Sequence, residues 1–180
     1  MITPLDPTCY VRTPWKNDGG TTVDIAFNGE VWRFSRTPIT AAGPFSDYTG
    51  FERLQVLIAG SGLVLKTPDG EIDMRQPFRP ARFAGETPIV SRLEAGPVEV
   101  INLMGERRRV QLDLAVLEAG GTQRLGPGLH IAYCPAGRAI LHFGDKQHAL
   151  QADHGIRIED VEGVATCSAG RIVLGSVTCV

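Results

Sequence analysis

Turn-forming residues interrupt this chain so often that long helices have no room. Its 180 residues include 21 glycines and 12 prolines, spread evenly. Between them lie short alternating or β-branched runs at 22–27, 31–35, 54–59, 63–66, 98–103, 110–117, 129–133, 139–143 and 171–177. Turn signals recur about every ten residues, the spacing of an all-β sandwich or barrel. No long stretch carries the helical period.

Two hairpins can be placed from residue type. Asn28-Gly29 is the favoured two-residue type I′ turn. It predicts Ile25 opposite Trp32 and Val23 opposite Phe34 on an apolar face, with Asp24 opposite Arg33 and Thr22 opposite Ser35 on a polar one. Pro68-Asp69-Gly70 predicts a second hairpin between 63–66 and 71–74. An internal repeat is also visible: Ala59-Gly60-Ser61-Gly62-Leu63-Val64-Leu65 resembles Ala136-Gly137-Arg138-Ala139-Ile140-Leu141-His142. It suggests two related β modules, at 1–106 and 107–180, packed as one compact unit.

Several function classes lose support. Net charge is −2, with 43% hydrophobic and 21% charged residues, so no strong field draws in nucleic acid or an anionic membrane. The basic run Arg107-Arg108-Arg109 has no interleaved aromatics to read a nucleic acid. The first residues lack the basic start and apolar run of a secretory leader, and no segment is long enough to span a bilayer. Cys9, Cys134, Cys167 and Cys179 form no C-x-x-C pair and read as free thiols of a cytoplasmic protein.

The segment Pro14-Trp15-Lys16-Asn17-Asp18-Gly19-Gly20-Thr21-Thr22 gathers a cation, an amide, two hydroxyls and two glycines after a large aromatic. Glycines let backbone N–H groups approach a ligand and form an anion nest, and Lys16 adds a mobile charge. The same residues also suit a tight turn with Lys16 in solvent.

These residues, together with Trp32-Arg33-x-Ser35, Gly43-Pro44-Phe45-Ser46, Gly50-x-x-Arg53, Phe83-x-Gly85-Glu86 and Asn102-Leu103-Met104, follow one another as in the HutD/Ves family. The chain resembles that family over residues 12–104. Asp18 stands where the family usually has a third glycine, and Thr37-Pro38 interrupts a segment that is more often small and apolar. The resemblance implies a double-cupin (bicupin) β-barrel, with an association with histidine utilisation. It further implies a protein that binds a small anionic metabolite, such as urocanate or formylglutamate, and regulates or buffers that intermediate.

A carboxylate calls for Arg as a planar two-point donor or Lys as a point charge. The candidate ligand-binding residues are Trp15, Lys16, Asn17, Thr21, Arg33, Ser35, Ser46, Arg53, Glu86 and Asn102. Most carry a structural alternative. Arg33 can pair with Asp24 across the hairpin, Trp15 can plug a core, the hydroxyls can satisfy local backbone, and Arg53 and Glu86 can be solvated. Metal is not expected, because His130, His142, His148 and His154 show no H-x-H or E-x-x-H spacing. No cofactor is expected either. No G-x-S-x-G elbow or P-loop is present.

The alternative reading is a metal-independent isomerase or hydrolase acting on a similar substrate, with Glu86 or Lys16 as acid–base group. A third is a protein–protein module with a vestigial pocket. Homodimerisation through a β-edge is compatible with all three.

Overall fold

A computed structural model describes residues 1–15 and 20–180. The elements of its first part are β1 (Ile2–Leu5), a 3-10 turn (Pro7–Cys9), β2 (Val11–Pro14), β3 (Thr21–Asn28), β4 (Trp32–Ile39), β5 (Gly43–Pro44), β6 (Phe51–Ala59), β7 (Leu63–Thr67), β8 (Gly70–Met74), β9 (Ala81–Ala84), β10 (Val90–Leu93) and β11 (Val98–Glu106). There follow β12 (Val110–Glu118), β13 (Thr122–Leu125), β14 (Leu129–Tyr133), β15 (Arg138–Phe143), β16 (Lys146–Gln151), β17 (Gly155–Glu159), β18 (Gly163–Ala169) and β19 (Arg171–Cys179). Each run expected from the sequence is a strand. Among the described residues no helix is long and apolar enough to cross a membrane.

The chain forms two units, residues 10–110 and residues 1–9 with 111–180. The N-terminal strand β1 pairs with β17, so residues 1–9 group with the later part of the chain. In residues 10–110 a six-stranded sheet, β2-β3-β4-β11-β6-β9, packs on a four-stranded sheet, β5-β10-β7-β8. In the other unit the sheets are β1-β17-β14-β19-β12 and β13-β18-β15-β16. The order β4-β11-β6-β9 matches β12-β19-β14-β17, and β5-β10-β7-β8 matches β13-β18-β15-β16. The repeat seen at Ala59-Gly60 and Ala136-Gly137 therefore marks equivalent points, just before β7 and β15.

The side-chain period of two is plain in β12, where Val110, Leu112 and Leu114 are buried and Gln111 and Asp113 exposed. The first hairpin departs from expectation. Its loop holds three residues, Gly29 to Val31, with Asn28 opposite Trp32. The Val31 N–H donates to the Asn28 carbonyl at 2.9 Å, and Gly29 supplies the positive φ of 51°. A bulge between Asp24 and Ala26 then shifts the register, so that Asp24 lies opposite Ser35 rather than Arg33. The extra loop residue alone would turn Thr22 and Asp24 to the other face; the bulge turns them back. The second hairpin forms as expected, with Thr67 opposite Gly70.

Pro38 is tolerated inside β4 because β3 pairs only as far as Arg36. The missing N–H of Pro38 therefore breaks no ladder on that side.

Candidate functional site

Three neighbouring strands of the six-stranded sheet share one gradient on their inner face. Along β4 it runs from Ile39 through Thr37 and Ser35 to Arg33. Along β11 it runs from Val98 and Val100 to Asn102 and Met104, and along β6 from Leu57 to Gln55 and Arg53. The register aligns these changes: Ser35 lies opposite Asn102 and Asn102 opposite Gln55, while Arg33 lies opposite Met104 and Met104 opposite Arg53. At the apolar end Ile39, Leu57, Val98 and Val100 join Leu63, Leu65, Met74 and Phe83 in a core. At the polar end the sheets enclose a cavity of about 600 Å³.

Arg53 stands in its wall. Its guanidinium carbon lies 5.2 Å from the ring centre of Phe45, 5.5 Å from Tyr48 and 5.1 Å from Phe83, a cage of negative ring faces. Its Nη2 donates a long bond of 3.4 Å to Asn102 Oδ1, and its Nε has no hydrogen-bond partner among the described residues. No carboxylate of those residues pairs with it. Burial lowers its pKa from the usual arginine range to about 10, with Tyr48 acting the other way. It is still a cation at neutral pH, and a buried cation without a counterion is a site for an anion.

The turns of the motifs build that cage. Gly50, with φ of 88°, lets the chain reverse so that the Phe51 N–H donates to the Tyr48 carbonyl at 3.0 Å. Gly85 lets Tyr48 come close: a Cβ on Gly85 would lie 2.2 Å from the Tyr48 carbonyl oxygen. The Tyr48 N–H donates to the Gly85 carbonyl and the Gly85 N–H to that of Phe51, at 3.0 and 2.8 Å.

Trp15, Arg33, Ser35, Ser46, Arg53 and Asn102 all line the cavity. Trp15 Nε1 donates to Thr22 Oγ1 at 2.9 Å, and Thr22 Oγ1 lies 3.2 Å from Thr37 Oγ1. Thr22 rather than Thr21 faces the cavity. Arg33 Nε lies 3.3 Å from Asp24 Oδ1, at ion-pair range without hydrogen-bond alignment; Thr13 Oγ1 donates to the other Asp24 oxygen at 2.7 Å. Glu86 is not at the cavity. It accepts a hydrogen bond from Arg107, which also donates to the Phe51 carbonyl at 3.0 Å, and the bond from Arg107 holds the Glu86 carboxyl below the usual range. Its part is to strap the chain beside the cage. Lys16 and Asn17 lie outside the described residues.

The cavity also uses Phe45 and Met104, which the motifs carry but which were not among the ligand candidates, and Tyr48 and Gln55, which the motifs leave out. Gln55 stands two residues from Arg53 inside an otherwise apolar run, a spacing that marks the position without giving it a role.

The equivalent interior of the other unit is filled. Matching Ala59-Gly60 to Ala136-Gly137 sets Arg53, Gln55 and Leu57 against His130, Ala132 and Cys134. The Gln55–Asn102 pair becomes Ala132–Leu174, inside an apolar cluster. The Arg53–Met104 pair becomes His130–Ser176, which bond to each other at 2.8 Å. Among the described residues no group of three or more His, Cys, Asp or Glu side chains converges. A more open depression of about 420 Å³ lies beside Arg138 and Gln151.

Comparison with known proteins agrees with this architecture. A family model described as HutD matches residues 8–174. An uncharacterised 21.2 kDa protein from the hutC 3′ region of Pseudomonas putida is 28% identical over 151 residues, covering 75% of this chain and 78% of that protein. A conserved protein of unknown function from Pseudomonas aeruginosa PAO1 superposes with a TM-score of 0.88 at 21% identity. HutD from Pseudomonas fluorescens SBW25 does so with a TM-score of 0.85 at 24% identity. Both alignments cover 100% of each chain. The fold is the all-β double cupin expected from the sequence.

Proposed function

Because this chain belongs to the HutD family, which is associated with histidine utilisation, we propose that it binds a small carboxylate metabolite and regulates or buffers an intermediate of histidine catabolism. The observation that carries this reading is Arg53, a caged cation on the cavity wall whose Nε has no hydrogen-bond partner and whose guanidinium has no carboxylate partner among the described residues. A carboxylate there would accept from the guanidinium and supply the missing counter-charge. Arg33, at the other side of Met104, offers a second donor. Four free cysteines suit a reducing compartment, and the cytoplasm is the proposed location.

The test is a titration calorimetry and melting screen with urocanate, formylglutamate and formiminoglutamate. At least one should bind and raise the melting temperature, by about 2.7 kcal/mol of stability at a hundredfold excess over its Kd. Silence from all three would overturn the reading.

A further inference from the structure

We propose that Gln55 is a specificity residue, selecting carboxylates that carry an N–H or O–H donor beside the acid group. The proposal rests on the carboxylate reading of the same cavity and adds to it a requirement on the ligand.

Gln55 is 2% exposed and lines the cavity. Its Oε1 is buried and has no hydrogen-bond partner among the described residues. A buried amide oxygen left unpaired is costly, so the geometry calls for a donor from outside the chain. Of the polar groups beside it, Asn102 and Ser35 are bonded elsewhere. Asn102 Oδ1 accepts from Arg53, Asn102 Nδ2 donates to Met104 Sδ at 3.6 Å, and Ser35 Oγ donates to the Asn102 carbonyl at 3.4 Å.

Arg53 and Gln55 are two residues apart on the same face of β6, about 7 Å along the strand. The unpartnered Arg53 Nε is a donor and the unpartnered Gln55 Oε1 an acceptor. A ligand whose carboxylate accepts from Arg53 and whose next atom or two bear a hydrogen on nitrogen or oxygen answers both. A site built to hydrogen-bond such a group discriminates against analogues that lack it, because its own polar atom is then left unpaired.

Matched acids test this. Lactate and isobutyrate differ by a hydroxyl against a methyl; N-acetylglycine and 4-oxopentanoate differ by N–H against methylene. Calorimetry on the wild-type protein should show the donor-bearing acid of each pair bound about tenfold tighter or more. In Gln55→Met the preference should collapse to within about twofold, with 4-oxopentanoate still bound and the melting temperature not lowered. Equal affinities within both pairs in the wild type, which needs no variant to fold, would overturn the proposal and leave the carboxylate reading standing; water would then serve Gln55. So would a preference that survives Gln55→Met. Failure of all four acids to bind would remove both.

Discussion

At the residue scale, Arg53 sets a ligand requirement against a folding cost. Its pKa, lowered by burial to about 10, corresponds to about 3 kcal/mol for keeping the charge buried. Three ring contacts, each about 0.5–1 kcal/mol, offset part of this. Arg53→Met fills similar volume without the charge. It should change stability by no more than about 1 kcal/mol in denaturant melts, while carboxylate affinity falls about a hundredfold or more. A loss of several kcal/mol with binding intact would make Arg53 a structural residue.

The sign of the pH effect follows from the same shift. In a window that opens at about pH 10 the unfolded arginine still holds its proton and the folded one has lost it, so stability rises with pH there. Below that window the burial cost is constant. Carboxylate affinity should be flat between about pH 6 and 9 and fall as pH passes 10, where the cation is lost. A bound anion pulls the pKa back up, so the fall begins later at saturating ligand.

At the element scale, the cage is a matter of turns more than of strands. Gly85→Ala drives a methyl into the Tyr48 carbonyl, and the Tyr48 turn must move to admit it. Stability should fall by about 1–3 kcal/mol. Carboxylate affinity should fall about tenfold with it, since Tyr48 leaves the guanidinium face. A variant that melts lower but binds at full strength would separate the turn from the site. Much of this was legible beforehand. The motif residues Phe45, Gly50, Arg53, Phe83 and Gly85 converge on one guanidinium, although they span two sheets and two turns. The strand runs were legible because β-branched residues between turn formers leave few alternatives. The hairpin register was not. Asn28-Gly29 matches the favoured two-residue loop, but a three-residue loop with a compensating bulge keeps the same faces, and local residue types do not separate the two. Nor was Gln55 legible, because a single amide inside β6 shows its role only when Asn102 and Arg53 are seen across and along the strand.

At the scale of the whole molecule, one strand plan is used twice with different interiors. In residues 10–110 the inner positions of β4, β6 and β11 turn polar toward one end and leave a cavity. At the equivalent places Ala132, Cys134 and Leu174 close the space, and His130 spends its ring nitrogens on Ser176 and the Gly126 carbonyl, at 2.8 and 2.9 Å. At the positions equivalent to Arg53 and Gln55 the second copy therefore has no free buried donor; the Arg157 Nε of that copy is buried and unpaired, but its guanidinium is ion-paired with Glu159. Its packing should contribute to stability without contact with ligand, since a filled apolar interior offers a small acid no partner. Hydrogen exchange with and without a bound carboxylate checks this. Amides of β4, β6, β11 and the 45–51 turn should slow on binding, because they hold the cavity wall. Amides of 111–180 should exchange at unchanged rates under conditions where exchange is local. Equal protection in β14 and β19 would mean that both copies take ligand, and the assignment of binding to Arg53 alone would fail.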